Sequence, residues 1–164
     1  MENTRFSIDL HPSVDYLVNG KDVLDFQLSA DKGKSYGPIK KIASGGELSR
    51  IMLATKAIIS ENMNLPTIIL DEIDAGVSGH IAQKMSDIMV EMSRNMQLIA
   101  MTHIPQIASK GTHHFKVYKE EINEDIITQL KKLSFEERVL EIAEMLSGKE
   151  ATVTAIDHAK QLLS

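Results

Sequence analysis

The sequence predicts an α/β fold with a parallel sheet core, flanking helices and a short antiparallel β part. Two short apolar segments, 67–70 and 97–101, have the length and composition of buried strands, and a helical pattern of apolar residues lies between them. Strand, helix and strand in this order form a βαβ unit with a right-handed crossover. Segments 4–10 and 22–30 instead alternate apolar with polar residues, which is typical of half-buried strands.

The chain has the size of one domain. Its 164 residues can build a hydrophobic core without disulfides or structural metal ions, so we expect a single domain over residues 1–164. The chain contains no cysteine, which excludes a disulfide framework and a thiolate metal site. No apolar run approaches the roughly 20 residues of a membrane span, and the first residues lack the apolar core of a signal peptide. We expect a cytoplasmic protein with no membrane partner.

The charge balance argues against a main nucleic-acid-binding surface in this chain. The formal net charge is -5, from 18 Lys and Arg against 23 Asp and Glu, and aromatic residues are 4% of the chain. Nucleic-acid-binding proteins usually show a basic surface, often with aromatic side chains that stack on bases. If the protein acts on DNA, we expect the main contacts to lie elsewhere.

The N-terminal third predicts a hairpin and contains one misleading motif. The two strands are expected to join through Asn19-Gly20, and residues 31–35 are expected to form a turn. That turn contains Gly33-Lys34-Ser35, which resembles the tail of a phosphate-binding P-loop. A P-loop requires glycine five positions before Gly33, where Leu28 stands, so we interpret the segment as a turn.

The segment Ser44-Gly45-Gly46-Glu47 opens the longest helical pattern, which should run to about Asn62. At a helix N-terminus the first N–H groups lack intrahelical partners, and glycines let a ligand approach the backbone, so the segment suits a phosphate group. The pair Ser44 and Glu47 is equally a capping box, and both interpretations stay open. The apolar face expected to pack consists of Leu48, Ile51, Met52, Thr55, Ile58 and Ile59.

Two carboxylates follow the first apolar strand directly. Ligands of open α/β sheets bind at the carboxyl ends of the strands, where Asp71 can hold Mg²⁺. Glu72 is a candidate general base for a water molecule. The alternative is that both residues only cap the next helix. That helix has an apolar face interpreted as core, consisting of Ile81, Met85, Ile88, Met89 and Met92.

A histidine follows the second apolar strand. Because the crossover is right-handed and the strands are parallel, His103 is expected at the same sheet edge as Asp71 and Glu72. A short helix is expected from Pro105, then a hairpin of strands 114–120 and 126–133. The last third predicts a helix opened by a Ser134 and Glu137 capping box, and a final helix over 151–163.

The order of these motifs resembles the second half of an ATP-binding-cassette ATPase domain. Residues 44–47 match its signature motif, 67–72 its Walker B strand with the catalytic glutamate, Asp74 its D-loop and His103 its switch histidine. Segments 42–54, 70–79, 101–108 and 137–148 more narrowly resemble the RecN family of bacterial DNA repair proteins, which are relatives of the SMC proteins. Glutamate at position 47, where transporter ATPases usually have glutamine, suits that family.

The resemblance implies the C-terminal lobe of a P-loop NTPase of the ABC/SMC type, with ATP and Mg²⁺ as ligands. In this family two heads sandwich two nucleotides, and the signature motif of one head faces the γ-phosphate bound by the other. Asp71 would orient the Mg²⁺ shell, Glu72 would activate the attacking water and His103 would contact the γ-phosphate. The implied nucleotide-binding residues are Ser44, Gly45, Gly46, Glu47 and Asp74.

The resemblance also implies missing parts and partners. No Gly-x-x-x-x-Gly-Lys-Ser/Thr motif and no long heptad pattern occur in the chain. We therefore expect a C-terminal piece that is inactive alone and needs the N-terminal Walker A lobe and a second head in an ATP-sandwiched homodimer. The implied function is ATP hydrolysis in DNA double-strand-break repair and recombination at the nucleoid. The alternatives are a head of another SMC-like chromosome ATPase and a non-catalytic interaction module.

Overall fold

A computed structural model of the chain describes residues 3–31, 33, 35–122, 125–148 and 150–164. It divides into two compact units, Met1–Ala54 and Thr55–Ser164. The expectation of one domain over residues 1–164 stays a prediction. Among the described residues, no helix combines the length and the apolar character needed to cross a membrane.

The first unit is built on an antiparallel hairpin of β1 (Arg5–Leu17) and β2 (Gly20–Ser29), with the short strand β3 (Gly37–Pro38) paired to β2. The predicted hairpin and its turn are confirmed. β1 continues seven residues beyond the predicted end because the ladder resumes after a register shift between Pro12 and Leu17. Proline donates no backbone hydrogen bond, so a strand that continues past it is hard to predict. In the predicted 31–35 turn, Lys32 and Lys34 lie outside the described residues.

One face of this hairpin is apolar and open. The register pairs Phe6 with Leu28, Ile8 with Phe26 and Leu10 with Leu24 on that face. Leu28 is fully buried, whereas the other five side chains are 49–66% exposed. The hairpin therefore presents an apolar surface that the described residues cover only at the Leu28 end.

Two helices follow, α1 (Ile39–Ile42) and α2 (Gly45–Met63). The predicted start and length of α2 are confirmed, but the prediction that its apolar face packs is wrong for this chain. Leu48, Met52, Ile58 and Ile59 are 37–62% exposed, while Leu53 and Ser60 are buried. A periodic pattern detects an apolar stripe, and it does not tell whether the same chain carries the surface that covers the stripe.

The second unit contains the predicted βαβ unit. β4 (Thr67–Leu70) and β5 (Gln97–Ala100) pair in parallel, and α3 (Gly79–Ser93) connects them. The core assignment in α3 is confirmed for Met85, Met89 and Met92, and it is wrong for Ile81 and Ile88, which are 40% and 39% exposed. The expectation of a fully buried strand is wrong for this chain, because Ile69 is 55% and Ile99 is 44% exposed. One face of a parallel pair is thus left open, although parallel sheets are normally covered on both faces.

The remaining elements match the predictions closely. They are α4 (Pro105–Ala108), the antiparallel strands β6 (Phe115–Ile122) and β7 (Asp125–Lys132), and the helices α5 (Phe135–Ser147) and α6 (Val153–Leu163). The capping box at α5 is confirmed, since the Glu137 amide donates to Ser134 Oγ at 3.2 Å and the Ser134 amide donates to Glu137 Oε2 at 2.9 Å. α5 and α6 share a core of Val139, Ile142, Ala143, Ala155 and Ala159.

The core between α5 and α6 gives a direct test of the fold. Ile142 is fully buried there, so Ile142→Ala should lower the free energy of unfolding by about 2–5 kcal/mol through lost burial and a residual cavity. Leu140 lies on the same helix and is 49% exposed. Leu140→Ala should therefore cost clearly less in urea unfolding followed by circular dichroism, and equal losses for the two variants would contradict this packing.

Candidate nucleotide and metal site

The carboxyl ends of β4 and β5 bring three candidate residues to one edge of the second unit. Asp71 and Glu72 follow β4 directly, and the Met101 amide, just past β5, donates to the Leu70 carbonyl at 2.9 Å. His103 comes two residues later with its side chain 81% exposed, and both carboxylate residues are exposed too. The parallel register therefore brings Asp71, Glu72 and His103 to the same edge, as the order of the βαβ unit predicts.

Glu72 has an unusual backbone conformation. Its φ of +50° lies in the left-handed region, which costs a residue with a side chain roughly 1–2 kcal/mol. The turn that follows supports this conformation, because the Ala75 amide donates to the Glu72 carbonyl at 3.2 Å and the Val77 amide donates to the Asp74 carbonyl at 3.0 Å. Backbone strain of this kind clusters at functional sites. Of Asp71, Glu72 and His103, Glu72 is the residue with a positive φ.

Asp74 lies inside the second unit rather than on its surface. The residue is 2% exposed, and its Oδ2 accepts a hydrogen bond from the Thr102 hydroxyl and one from the His103 amide at 3.3 Å. His103 Nδ1 lies 3.7 Å from the same oxygen. The turn after β4 is thereby tied to the turn after β5. Sequence reasoning missed Thr102, and its only signal was a hydroxyl residue placed between an apolar strand and His103.

The signature-type segment belongs to the first unit and forms the predicted capping box. The Glu47 amide donates to Ser44 Oγ at 3.4 Å, and Glu47 Oε2 accepts from the Ser44 amide at 2.9 Å and the Ser44 hydroxyl at 2.8 Å. The bond from the Ser44 amide is the main cause that lowers the pKa of Glu47, and the hydroxyl bond adds to it. The capping interpretation is confirmed, and the phosphate interpretation stays a prediction.

The two glycines of this segment differ. Gly45 is exposed and Gly46 is buried. A Cβ built on Gly45 would meet no atom of the described residues within 4 Å, and its φ lies outside the left-handed region. Neither packing nor backbone conformation therefore requires glycine at position 45 among the described residues. Close approach of a ligand is a remaining reason for a residue without a Cβ there.

The side chains at the carboxyl edge of β4 can bind Mg²⁺ only together with ligands from outside the described residues. Within the described ranges, no group of three or more acidic, histidine or cysteine side chains could hold a metal ion. Asp71 supplies an exposed carboxylate, and Mg²⁺ commonly binds through one or two carboxylates, several waters and substrate phosphates. The residues present thus fit a Mg²⁺ ion that arrives with a nucleotide.

Comparison with solved structures identifies the fold. An Smc head domain with a coiled coil and joint from Pyrococcus yayanosii superposes with a TM-score of 0.67 over 90% of this chain and 26% of that chain, at 22% identity. A structure from a study of ATP-driven dimerization and DNA-stimulated activation of SMC ATPases gives a TM-score of 0.59 over 87% of this chain and 83% of that chain, also at 22% identity. The chain has the α/β fold of one lobe of an SMC-type head.

Comparison of sequences identifies the family, although no family model matches the chain. DNA repair protein RecN of Halalkalibacterium halodurans is 38% identical over 99% of this chain, and RecN of Rickettsia typhi is 40% identical over 99%. RecN of Bacillus subtilis is 40% identical over 88%. The chain spans only 30%, 29% and 25% of the lengths of these three relatives. By similarity along almost its whole length, the chain belongs to the RecN family of DNA repair proteins.

Proposed function

We propose that this chain is the C-terminal lobe of a RecN-like ATPase head, which hydrolyses ATP during repair of DNA double-strand breaks and recombination. The observation that carries the proposal is the convergence of Asp71, Glu72 and His103 at the carboxyl edge of the parallel β4 and β5 pair. The names of the relatives support the repair role, and the SMC-type fold supports the ATPase.

The proposed reaction is attack of water on the γ-phosphorus, with cleavage of its bond to the β-bridging oxygen and release of ADP and phosphate. Glu72 accepts a proton from the attacking water, and its exposed carboxylate can reach a ligand outside the chain. His103 contacts the γ-phosphate with its exposed ring. Asp71 holds the Mg²⁺ shell, and the ion, when bound, neutralises the phosphate charge.

The signature segment is proposed to act on the nucleotide of a second head. The N-terminus of the 19-residue helix α2 carries partial positive charge, and Gly45 leaves its backbone open to a phosphate group. The Ser44 hydroxyl donates to Glu47 in this chain, so it must exchange that acceptor for a phosphate oxygen when the heads close.

The proposed partners are an N-terminal Walker A lobe, a second head in an ATP-sandwiched homodimer, and DNA contacted mainly outside this chain. The open apolar faces of the β1 and β2 hairpin and of the β4 and β5 pair support a further lobe, because large exposed apolar surfaces mark interfaces. The net charge of -5 supports DNA contacts elsewhere. The proposed location is the cytoplasm, at the nucleoid.

Glu72→Gln tests the proposed general base. In the chain combined with a RecN-type Walker A lobe, this change should lower Mg²⁺-dependent ATP hydrolysis by at least about 100-fold, because the amide cannot accept the proton. ATP-driven dimers should persist in size-exclusion chromatography with light scattering. The control Glu120→Gln changes an exposed glutamate on β6 and should leave the rate unchanged. Full hydrolysis by Glu72→Gln, or hydrolysis at the rate of the whole head by this chain alone, would refute the proposal.

Gly45→Ala tests the signature segment separately from the fold. Alanine favours helix over glycine by up to about 1 kcal/mol, and the added Cβ meets no described atom, so thermal stability should stay equal or rise. ATP-driven dimerisation should nevertheless weaken by about tenfold or more, since the methyl group blocks close approach of the phosphate. Ala54→Ser adds one atom to an exposed position further along α2 and should not affect dimerisation. Unchanged dimerisation in Gly45→Ala would remove this segment from the site.

A further inference from the structure

We propose that Asp74 is a positioning residue. It holds the turn that carries His103 by hydrogen bonds within the same chain, from the Thr102 hydroxyl and from the His103 amide. The inference rests on the proposed function, because it concerns how His103 is presented to a γ-phosphate. It gives Asp74 a role that requires no contact with the nucleotide.

Burial of the Asp74 carboxylate shows that its partners are internal. A buried carboxylate is costly unless hydrogen bonds compensate it, and Asp74 is 2% exposed. The compensating donors come from the segment after β5: the Thr102 hydroxyl and the His103 amide both reach Oδ2. The Asp74 carboxyl group thus accepts hydrogen bonds from two consecutive residues, and these bonds restrain the backbone of that segment.

Thr102 extends the restraint to the other side of His103. Its Oγ1 donates to Asp74 and accepts from the Ile104 amide at 3.0 Å. The amides of residues 103 and 104 are therefore both held, one by Asp74 directly and one through the Thr102 hydroxyl. The His103 side chain between them stays 81% exposed. This arrangement fixes the backbone of His103 while leaving its ring available to a ligand.

The same residue links the two halves of the edge. Asp74 follows Glu72 by two positions, and its carbonyl accepts from the Val77 amide in the turn that supports the left-handed conformation of Glu72. A shift of the His103 turn would thus act on the turn that carries Glu72. Errors of about 1 Å in the position of a catalytic group can cost about 100-fold in rate, so such a link matters for phosphoryl transfer.

The hydrogen-bond link can be tested on this chain without ATP. Thr102→Val keeps the shape of the side chain and removes the hydroxyl, so hydrogen exchange of the residue 103 and 104 amides should accelerate by about tenfold or more. Thr102→Ser keeps the hydroxyl and should keep the protection. Thermal unfolding of both variants checks that the fold persists. Equal protection of these amides in Thr102→Val and the unchanged chain would overturn the link.

The positioning role is tested by a double-mutant cycle on ATP hydrolysis, with the Walker A lobe present. Thr102→Val should lower kcat by about tenfold and change KM for ATP by less than about twofold, and Thr102→Ser should restore most of kcat. In the His103→Ala background, Thr102→Val should change kcat by less than about twofold, because both changes remove the same contribution. Asp74→Asn, which keeps an oxygen acceptor without the charge, should behave like Thr102→Val with a smaller effect.

The possible failures are distinguishable. If His103→Ala lowers kcat and the effect of Thr102→Val multiplies with it, the positioning inference is wrong while the proposed function stands. If His103→Ala leaves kcat unchanged in an active head, the role of His103 fails and the inference fails with it. A rise in KM with unchanged kcat in Thr102→Val would also overturn the inference, since it would indicate a contribution to ATP binding only.

Discussion

The parallel pairing of β4 with β5 is the constraint on which the candidate site depends. Leu70 pairs with Ala100, and the Met101 amide extends the ladder by one more bond to the Leu70 carbonyl. Parallel strands end at the same edge, so residues that are 28 positions apart in the chain come into hydrogen-bonding contact. The buried methionines of α3 pack the crossover helix into the core of the second unit. Disturbing this pairing would separate Asp71 and Glu72 from His103.

At the carboxyl edge of β4 and β5, exposed side chains lie beside the buried carboxyl group of Asp74. Glu72 and the ring of His103 face outward, where a ligand can reach them, while Asp74 is withdrawn and hydrogen-bonded. The phosphoryl transfer proposed for this edge requires mainly positioning and charge neutralisation, and both demand preorganised groups. Asp74, a buried hydrogen-bond acceptor, ties the turn after β4 to the turn after β5. The strain at Glu72 is tolerated because the turn around it is over-determined.

Several apolar faces of the described residues are open. The chain spans about three tenths of its relatives, and apolar side chains stay exposed on the hairpin, on α2 and on the β4 and β5 pair. An amphipathic pattern marks an apolar face, and it does not tell whether the same chain carries the surface that covers that face. The patterns therefore predicted the helices and strands well. They predicted burial poorly for α2 and for Ile69.

The sequence by itself determined the element types, most of their boundaries, the βαβ unit, both capping boxes and the family. These depend on local periodicity, on cap residues and on motif spacing, which are all readable within short windows. Only the tertiary structure decided that Asp74 pairs with Thr102, that Glu72 is left-handed, and that Gly45 rather than Gly46 is exposed. Each of these depends on which groups meet across the fold. A hydrogen bond between residues 28 positions apart leaves no periodic trace in the chain.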